Sequence, residues 1–442
     1  MALEAPLLEE VPAAGAASGH FLPHVIAWNL TRRCNLECAH CYISAGPEET
    51  ATDELSTDEC LRIASAILEL NPSPLLILSG GEPLLRDDLA AISGYASRRG
   101  ATVVIGTNGT LLTESRIAEL KAAGVTGFAI SVDSLDHRQH DNFRHGKGAL
   151  AATTEAIGRL RTQRMDFIVQ TTITKGNRAE LPRLIAWSAE QGAVSFNAYF
   201  LVPTGRGARL SDLTPEEYET VLAELVEQHQ LYLGKMLVRA KCAPHFMRLV
   251  HRAAPESPVL NYETRCPCGV QYCRITPDGK LTPCPYLPEA AGDLRQDSFS
   301  SVWRDSDLFR QLRTGKLGGK CGSCEYRELC GGCRARAFAV DGDYLAADPS
   351  CAYQPAGEMP PVQVNRPVRY GSPAERQLRW SKDAEERISR IPSFVRGVVM
   401  DRVEQYARRQ GAAEVTLELM RDVRRAMPVD FSKRAPFFLS DD

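Results

Sequence analysis

The 442-residue chain is 44% apolar and 24% charged, the balance of a folded protein with ample core, and it is longer than one ordinary domain. A formal net charge of −3 gives no electrostatic case for nucleic acid as a partner, and no apolar run approaches the roughly 20 residues of a bilayer span. Fourteen cysteines behind an acidic, Ala-, Pro- and Gly-rich start with no basic leader argue for metal binding rather than disulfides, and for a reducing cytoplasm.

Residues 1–22 read as a flexible arm. From His24 to Val202, short β-branched runs alternate with helical patterns, the mark of parallel βα units. The strands are expected at Val25–Leu30, Leu75–Leu78, Thr102–Ile105, Phe128–Val132, Phe167–Ile173 and Val194–Leu201. Capping boxes, Ser56 with Glu59 and Thr214 with Glu217, open two of the helices. Six units over residues 23–235 predict an α/β partial (β/α)6 barrel, because a closed eight-stranded barrel needs about 250 residues.

In such barrels the chemistry stands at the C-terminal strand ends. After the first comes Cys34-x3-Cys38-x2-Cys41, three thiolates able to converge on one metal centre with no fourth cysteine on the loop. A zinc knot completed by His40 or His24 is the plain alternative. After the second stands Gly80-Gly81-Glu82-Pro83, where glycines let backbone approach a ligand and Glu82 can accept from an ammonium group. Thr107-Asn108-Gly109 after the third also reads as a simple turn. After the fourth, Ser131 and Asp133 share a face by the two-residue period, with Arg144 downstream, which reads nearly as well as a solvated surface arginine. On the fifth, Gln170 and Thr172 point alike into the barrel.

Within an expected second region, 236–354, nine cysteines lie between Cys266 and Cys351: Cys266, Cys268, Cys273, Cys284, Cys321, Cys324, Cys330, Cys333 and Cys351. Their C-x2-C pairs also suit zinc ribbons. Cys60, in a patterned helix, reads as a small buried apolar group, and Cys242 is undecided. A Pro-rich linker is expected at 355–373, followed by a small helical unit at 374–442 with Ile388, Ile391, Val395, Val398, Val399, Val403 and Tyr406 as its apolar stripe.

The triad, with His40 before its last cysteine, resembles the signature of radical S-adenosylmethionine (SAM) enzymes, and Gly80 to Pro83 matches that family's GGEP motif. The resemblance implies a 4Fe-4S cluster on Cys34, Cys38 and Cys41, whose open iron chelates SAM and whose electron releases a 5'-deoxyadenosyl radical. It implies cofactor contacts from His40, Gly80, Gly81, Glu82, Pro83, Asn108, Ser131, Asp133 and Arg144. Cys321-x2-Cys324-x5-Cys330-x2-Cys333, with Gly279-x4-Cys284 upstream and Cys351 downstream, resembles the SPASM extension, which carries two auxiliary 4Fe-4S clusters. The family's order implies Cys321, Cys324, Cys330 and Cys351 on one, and Cys333, Cys284, Cys273 and Cys266 on the other, with Cys266 fitting the context of Gly269 better than Cys268. Only Gly331 and Gly332 separate the last pair, where the family often has three residues.

Tyr272 to Ile275, Pro283 to Pro288 and Leu201 to Gly207 look like the branch that trims propionates in alternative heme and denitrification-heme synthesis. Ile391 to Arg396, with Val403 to Ala407 and Gly411 to Thr416, resembles the small domain of light-independent protochlorophyllide reductase. Both imply a small-molecule tetrapyrrole substrate, with ferredoxin or flavodoxin as electron donor. Peptide modification is the competing enzyme reading, weakened because too few residues precede Val25 for a peptide-binding winged helix. A scaffold that keeps clusters without radical chemistry is a third.

Overall fold

The computed structural model describes residues 21–210, 213–255, 257–261, 265–357, 359–362, 376–389 and 391–425. The expected arm falls outside these up to residue 20, as do positions 363–373 of the linker and 374–375 and 426–442 of the last unit. Among the described residues no helix is long and apolar enough to cross a membrane.

Ten strands form one sheet: β1 (Val25–Thr31), β2 (Leu75–Gly80), β3 (Thr102–Thr107), β4 (Val125–Ser131), β5 (Asp166–Ile173), β6 (Ser195–Phe200), β7 (Leu237–Lys241), β8 (Tyr272–Ile275), β9 (Lys280–Thr282) and β10 (Gly292–Asp293). Their order is β10-β9-β8-β1-β2-β3-β4-β5-β6-β7. All pairings from β8 through β1 to β7 are parallel, whereas β8, β9 and β10 meander antiparallel. The parallel run therefore extends past the six expected strands, by β7 on one side and β8 on the other. Both added strands are short, which hides them from a search for apolar runs.

Alternation sets the two faces of the sheet. Phe167, Val169 and Ile173 of β5, Leu76 and Leu78 of β2, and Ile26, Trp28 and Leu30 of β1 join the core beneath the helices. Gln170 and Thr172 look the other way, in register with Asn197 and Tyr199 of β6, which in turn align with Arg239 and Lys241 of β7. Cys242, just after β7, packs in one cluster with Cys266 and Cys268 ahead of β8 and Cys284 after β9. The ends of the parallel run thus curve toward each other around a lumen.

Both capping boxes form, at Thr57–Leu70 and Pro215–Leu231. Cys60 is fully buried in the first of these helices.

The C-terminal unit has its own core around Trp380, Ala384, Ile388, Ile391, Val403 and Val415. Its buried Glu404 accepts from the Trp380 indole (2.9 Å) and from the Gln377 and Leu378 amides. Ser393 docks it on the barrel, bonding His24 (2.7 Å), Asn71 (2.9 Å) and the Ser73 carbonyl (3.0 Å). Those residues precede β1 and β2, so this unit sits at the N-terminal end of the strands.

Candidate active site

The loop after β1 is held from three sides. Gly80 and Gly81 abut its entry: a Cβ on Gly80 would stand 2.4 Å from the Thr31 carbonyl oxygen, and one on Gly81 2.2 Å from that of Arg33. Only glycine permits this approach. On the second side, the Ala39 amide donates to the Phe143 carbonyl (2.9 Å), and His40 stacks on the Phe143 ring at 4.6 Å. On the third, Arg206 after β6 donates its guanidinium to the carbonyls of Cys38 (2.9 Å) and Ala45 (2.6 Å), while its backbone amide donates to the Cys41 carbonyl (3.0 Å). Nothing in the sequence had singled out the Arg206 side chain.

Each thiol of the triad meets at least one N–H donor, and Cys34 also accepts from the Leu36 amide. Asn108 Nδ2 reaches Cys34 at 4.0 Å, Arg144 Nη1 reaches Cys38 at 3.7 Å, and the Ala45 amide reaches Cys41 at 3.3 Å. Such donors stabilise negative sulfur. Burial pushes the Cys34 thiol up to about 12 and raises Cys38 despite Arg144, so cluster assembly must displace thiol protons. Burial and the nearby Arg144 charge push His40 down to about 3, leaving its ring neutral.

The expected contact residues divide. Glu82 is fully buried and its carboxylate faces the end of β3, accepting from Thr107 Oγ1 (2.8 Å), the Asn108 amide (2.9 Å) and the Leu84 amide (3.1 Å). Burial pushes it up to about 7. It ties β2 to β3, a role that the ammonium-acceptor reading did not include. Pro83, buried, opens a 3-10 turn behind it. Asn108 bonds the cysteine loop through Asn35 (2.9 Å). Arg144 is no surface arginine: it is 6% exposed and pairs with buried Asp133 at 2.5 Å, while Asp133 also accepts from the Thr172 amide (2.8 Å). The Arg144 charge holds Asp133 below the usual carboxylate range. Ser131, half-buried at the end of β4, stays in register with Gln170.

The remaining cysteines fall into two groups. Cys321, Cys324, Cys330 and Cys351 line one cavity with Lys320, His245 and Arg248. Cys266, Cys268, Cys284 and Cys333 form the other, beside Cys242. Within it Cys266 hydrogen-bonds Cys268 and Cys333, which draws Cys266 down, while Cys268 and Cys333 lie well above the ordinary thiol value. Here Cys273 is a correction. On β8 it shares the core face with Ile275, buried in the main apolar core, while Tyr272 and Arg274 take the lumen face. Cys268 stands where Cys273 was expected, and both Cys266 and Cys268 belong to the group. Asp348 links the two groups: its carboxylate accepts from the Cys333 amide (2.7 Å), its amide reaches Cys321 Sγ (3.4 Å), and Arg336 neutralises it at 3.2 Å.

Among the described residues no three His, Cys, Asp or Glu side chains close on a single metal ion. The arrangement is one of three- and four-thiol groups, the donor sets of iron-sulfur clusters, with the triad one protein ligand short.

A partial barrel with a three-thiol loop at the C-terminal end of β1 and two four-thiol groups beyond β7 defines a radical SAM protein. The chain belongs to the radical SAM superfamily, whose model matches residues 28–187, and it carries an iron-sulfur cluster-binding SPASM domain matched at 266–334. Residues 380–424 match the proto-chlorophyllide reductase 57 kD subunit. This chain is similar to relatives named AdoMet-dependent heme synthase. It is 40% identical to an AdoMet-dependent heme synthase of Methanosarcina barkeri, covering 75% of this chain and 97% of that one. It is 30% identical to an Fe-coproporphyrin III synthase of the same organism, over 74% of this chain and 87% of the relative. The fold matches the crystal structure of Streptococcus suis SuiB bound to S-adenosylmethionine, at TM-score 0.62 and 15% identity, over 75% of this chain and 78% of SuiB. The chain is thus an enzyme of the radical SAM class that uses SAM and 4Fe-4S clusters.

Proposed function

We propose that the enzyme decarboxylates propionate side chains of an iron porphyrinoid in heme synthesis. When bound, a cluster on Cys34, Cys38 and Cys41 with SAM supplies a 5'-deoxyadenosyl radical, and auxiliary clusters on the two four-thiol groups supply an electron sink. Arg144, Asn108 and the Ala45 amide stabilise the three thiolates, while Gly80, Gly81 and Arg206 hold their loop in place. Gly80 to Pro83, His40, Ser131 and the Asp133–Arg144 pair orient SAM. In the substrate, loss of a hydrogen atom from the propionate carbon attached to the ring leaves that carbon one electron short of a double bond. Breaking the bond to the carboxylate then releases CO2 and one electron, and a vinyl group remains. A reductant such as ferredoxin or flavodoxin supplies the initiating electron, and the cytoplasm suits such clusters.

The observation that carries this reading is the 40% identity to a heme synthase over nearly that relative's whole length. The same identity disfavours peptide modification.

Protein reconstituted anaerobically with iron and sulfide, reduced and given SAM with iron coproporphyrin III, is expected to form 5'-deoxyadenosine and a macrocycle lighter by CO2 and hydrogen. The triple Cys34, Cys38, Cys41→Ala variant should form neither. SAM cleavage with every macrocycle returned unchanged would overturn the substrate class.

A further inference from the structure

Arg274 is the group in this lumen with the least explanation. It lies on the lumen face of β8 and is 5% exposed. Among the described residues its one hydrogen bond runs from Nη1 to the Pro285 carbonyl at 3.2 Å, and its buried Nε has no partner. No carboxylate pairs with it among the described residues. Its charged or titratable neighbours are Tyr42, Cys284, Arg32 and Tyr272. Burying a guanidinium without an anion is costly, so such a group points to a ligand that supplies the charge.

Its position says which ligand. Tyr42 directly follows Cys41, and the Arg274 guanidinium lies 5.6 Å from the Tyr42 ring. Tyr42 is fixed by Asn29 Nδ2 at 2.8 Å and meets the Tyr286 ring at 5.1 Å. Pro285 and Tyr286 directly follow Cys284. The guanidinium therefore stands between the residue after the radical triad and the residues after an auxiliary thiol. Tyr199 and Tyr272 lie close enough to Tyr286 to act on it electrostatically, and all four phenols are half-buried. Half-buried rings around one buried cation suit a flat aromatic body that carries carboxylates.

We propose that Arg274 binds a carboxylate of the substrate in the lumen, with Tyr42 and Tyr286 flanking it, and so fixes which side chain faces the triad. This rests on the tetrapyrrole reading. A carboxylate could also come from the methionyl part of SAM, and a loaded auxiliary cluster on Cys284 would bring negative charge near Arg274. The experiment separates these sources.

Reconstituted wild type, Arg274→Gln and Arg274→Lys are titrated with iron coproporphyrin III by absorbance and with SAM by calorimetry, alongside iron content and cluster EPR. Arg274→Gln is expected to bind the macrocycle about tenfold or more weakly, the loss expected for a hydrogen bond to a charged group. Arg274→Lys should regain part of that loss, with SAM affinity, iron content and EPR as in wild type. Equal macrocycle affinity in wild type and Arg274→Gln overturns the proposal alone. So does weakened SAM binding, which assigns Arg274 to SAM, or an altered auxiliary EPR signal, which assigns it to the cluster. Failure of wild type to bind the macrocycle overturns the functional reading itself.

Discussion

At the scale of residues, what decides a cysteine's role is the direction of its side chain rather than its spacing. Cys273 lies within a recognisable motif, yet strand alternation sends it into the apolar core with Ile26 and Trp28, and burial pushes its thiol up. Cys268, two positions from Cys266, meets both Cys266 and Cys284. Cys268→Ala should therefore lose about four irons and one auxiliary EPR signal. Cys273→Ala should keep full iron and cost only about 1 kcal/mol of stability, because it deletes one small buried group. Iron analysis and EPR on the two variants decide it, and iron lost only from Cys273→Ala would restore the first assignment. The alternation was readable in Tyr272-Cys273-Arg274-Ile275 once a strand was recognised there. Arg144 is different, because its burial depends on the helix His137–Arg144 folding against the cysteine loop, a contact that no local pattern encodes.

At the scale of elements, the six strands from β1 to β6 were legible because their core faces are apolar and their helices carry visible start signals. β7 was not, because its lumen-side positions include Arg239 and Lys241 and only Val238 and Ala240 serve the core. The loop after β6 was noticed as a loop, while its work on the triad requires the barrel to bring β1 and β6 ends together. Gly205 shows how tight that meeting is: its φ is +55°, and a Cβ there would stand 2.5 Å from the carbonyl oxygens of both Cys41 and Tyr42. Gly205→Ala should therefore displace the cysteine loop, at a backbone cost of roughly 1–3 kcal/mol. The expected result is an EPR signal at the triad that no longer shifts on adding SAM, with both auxiliary signals kept. An unchanged SAM-dependent shift would contradict the clamp. Gly207, where the closest contact would be 3.3 Å, should tolerate alanine better.

At the scale of the whole molecule, the parts are separated by function. The triad, the GGEP turn and the Asp133–Arg144 pair gather at the C-terminal strand ends, the auxiliary thiols close the gap beyond β7, and the C-terminal unit docks at the opposite end through Ser393. A lumen reached by the residues that follow both kinds of thiol group is what hydrogen abstraction followed by removal of one electron requires, since the same side chain must serve both. The most direct measurement is isotopic. Iron coproporphyrin III deuterated on the propionate carbon attached to the ring is turned over, and the 5'-deoxyadenosine formed is weighed. The account predicts one deuterium in the nucleoside for each vinyl group made; unlabelled 5'-deoxyadenosine accompanying vinyl formation would contradict it.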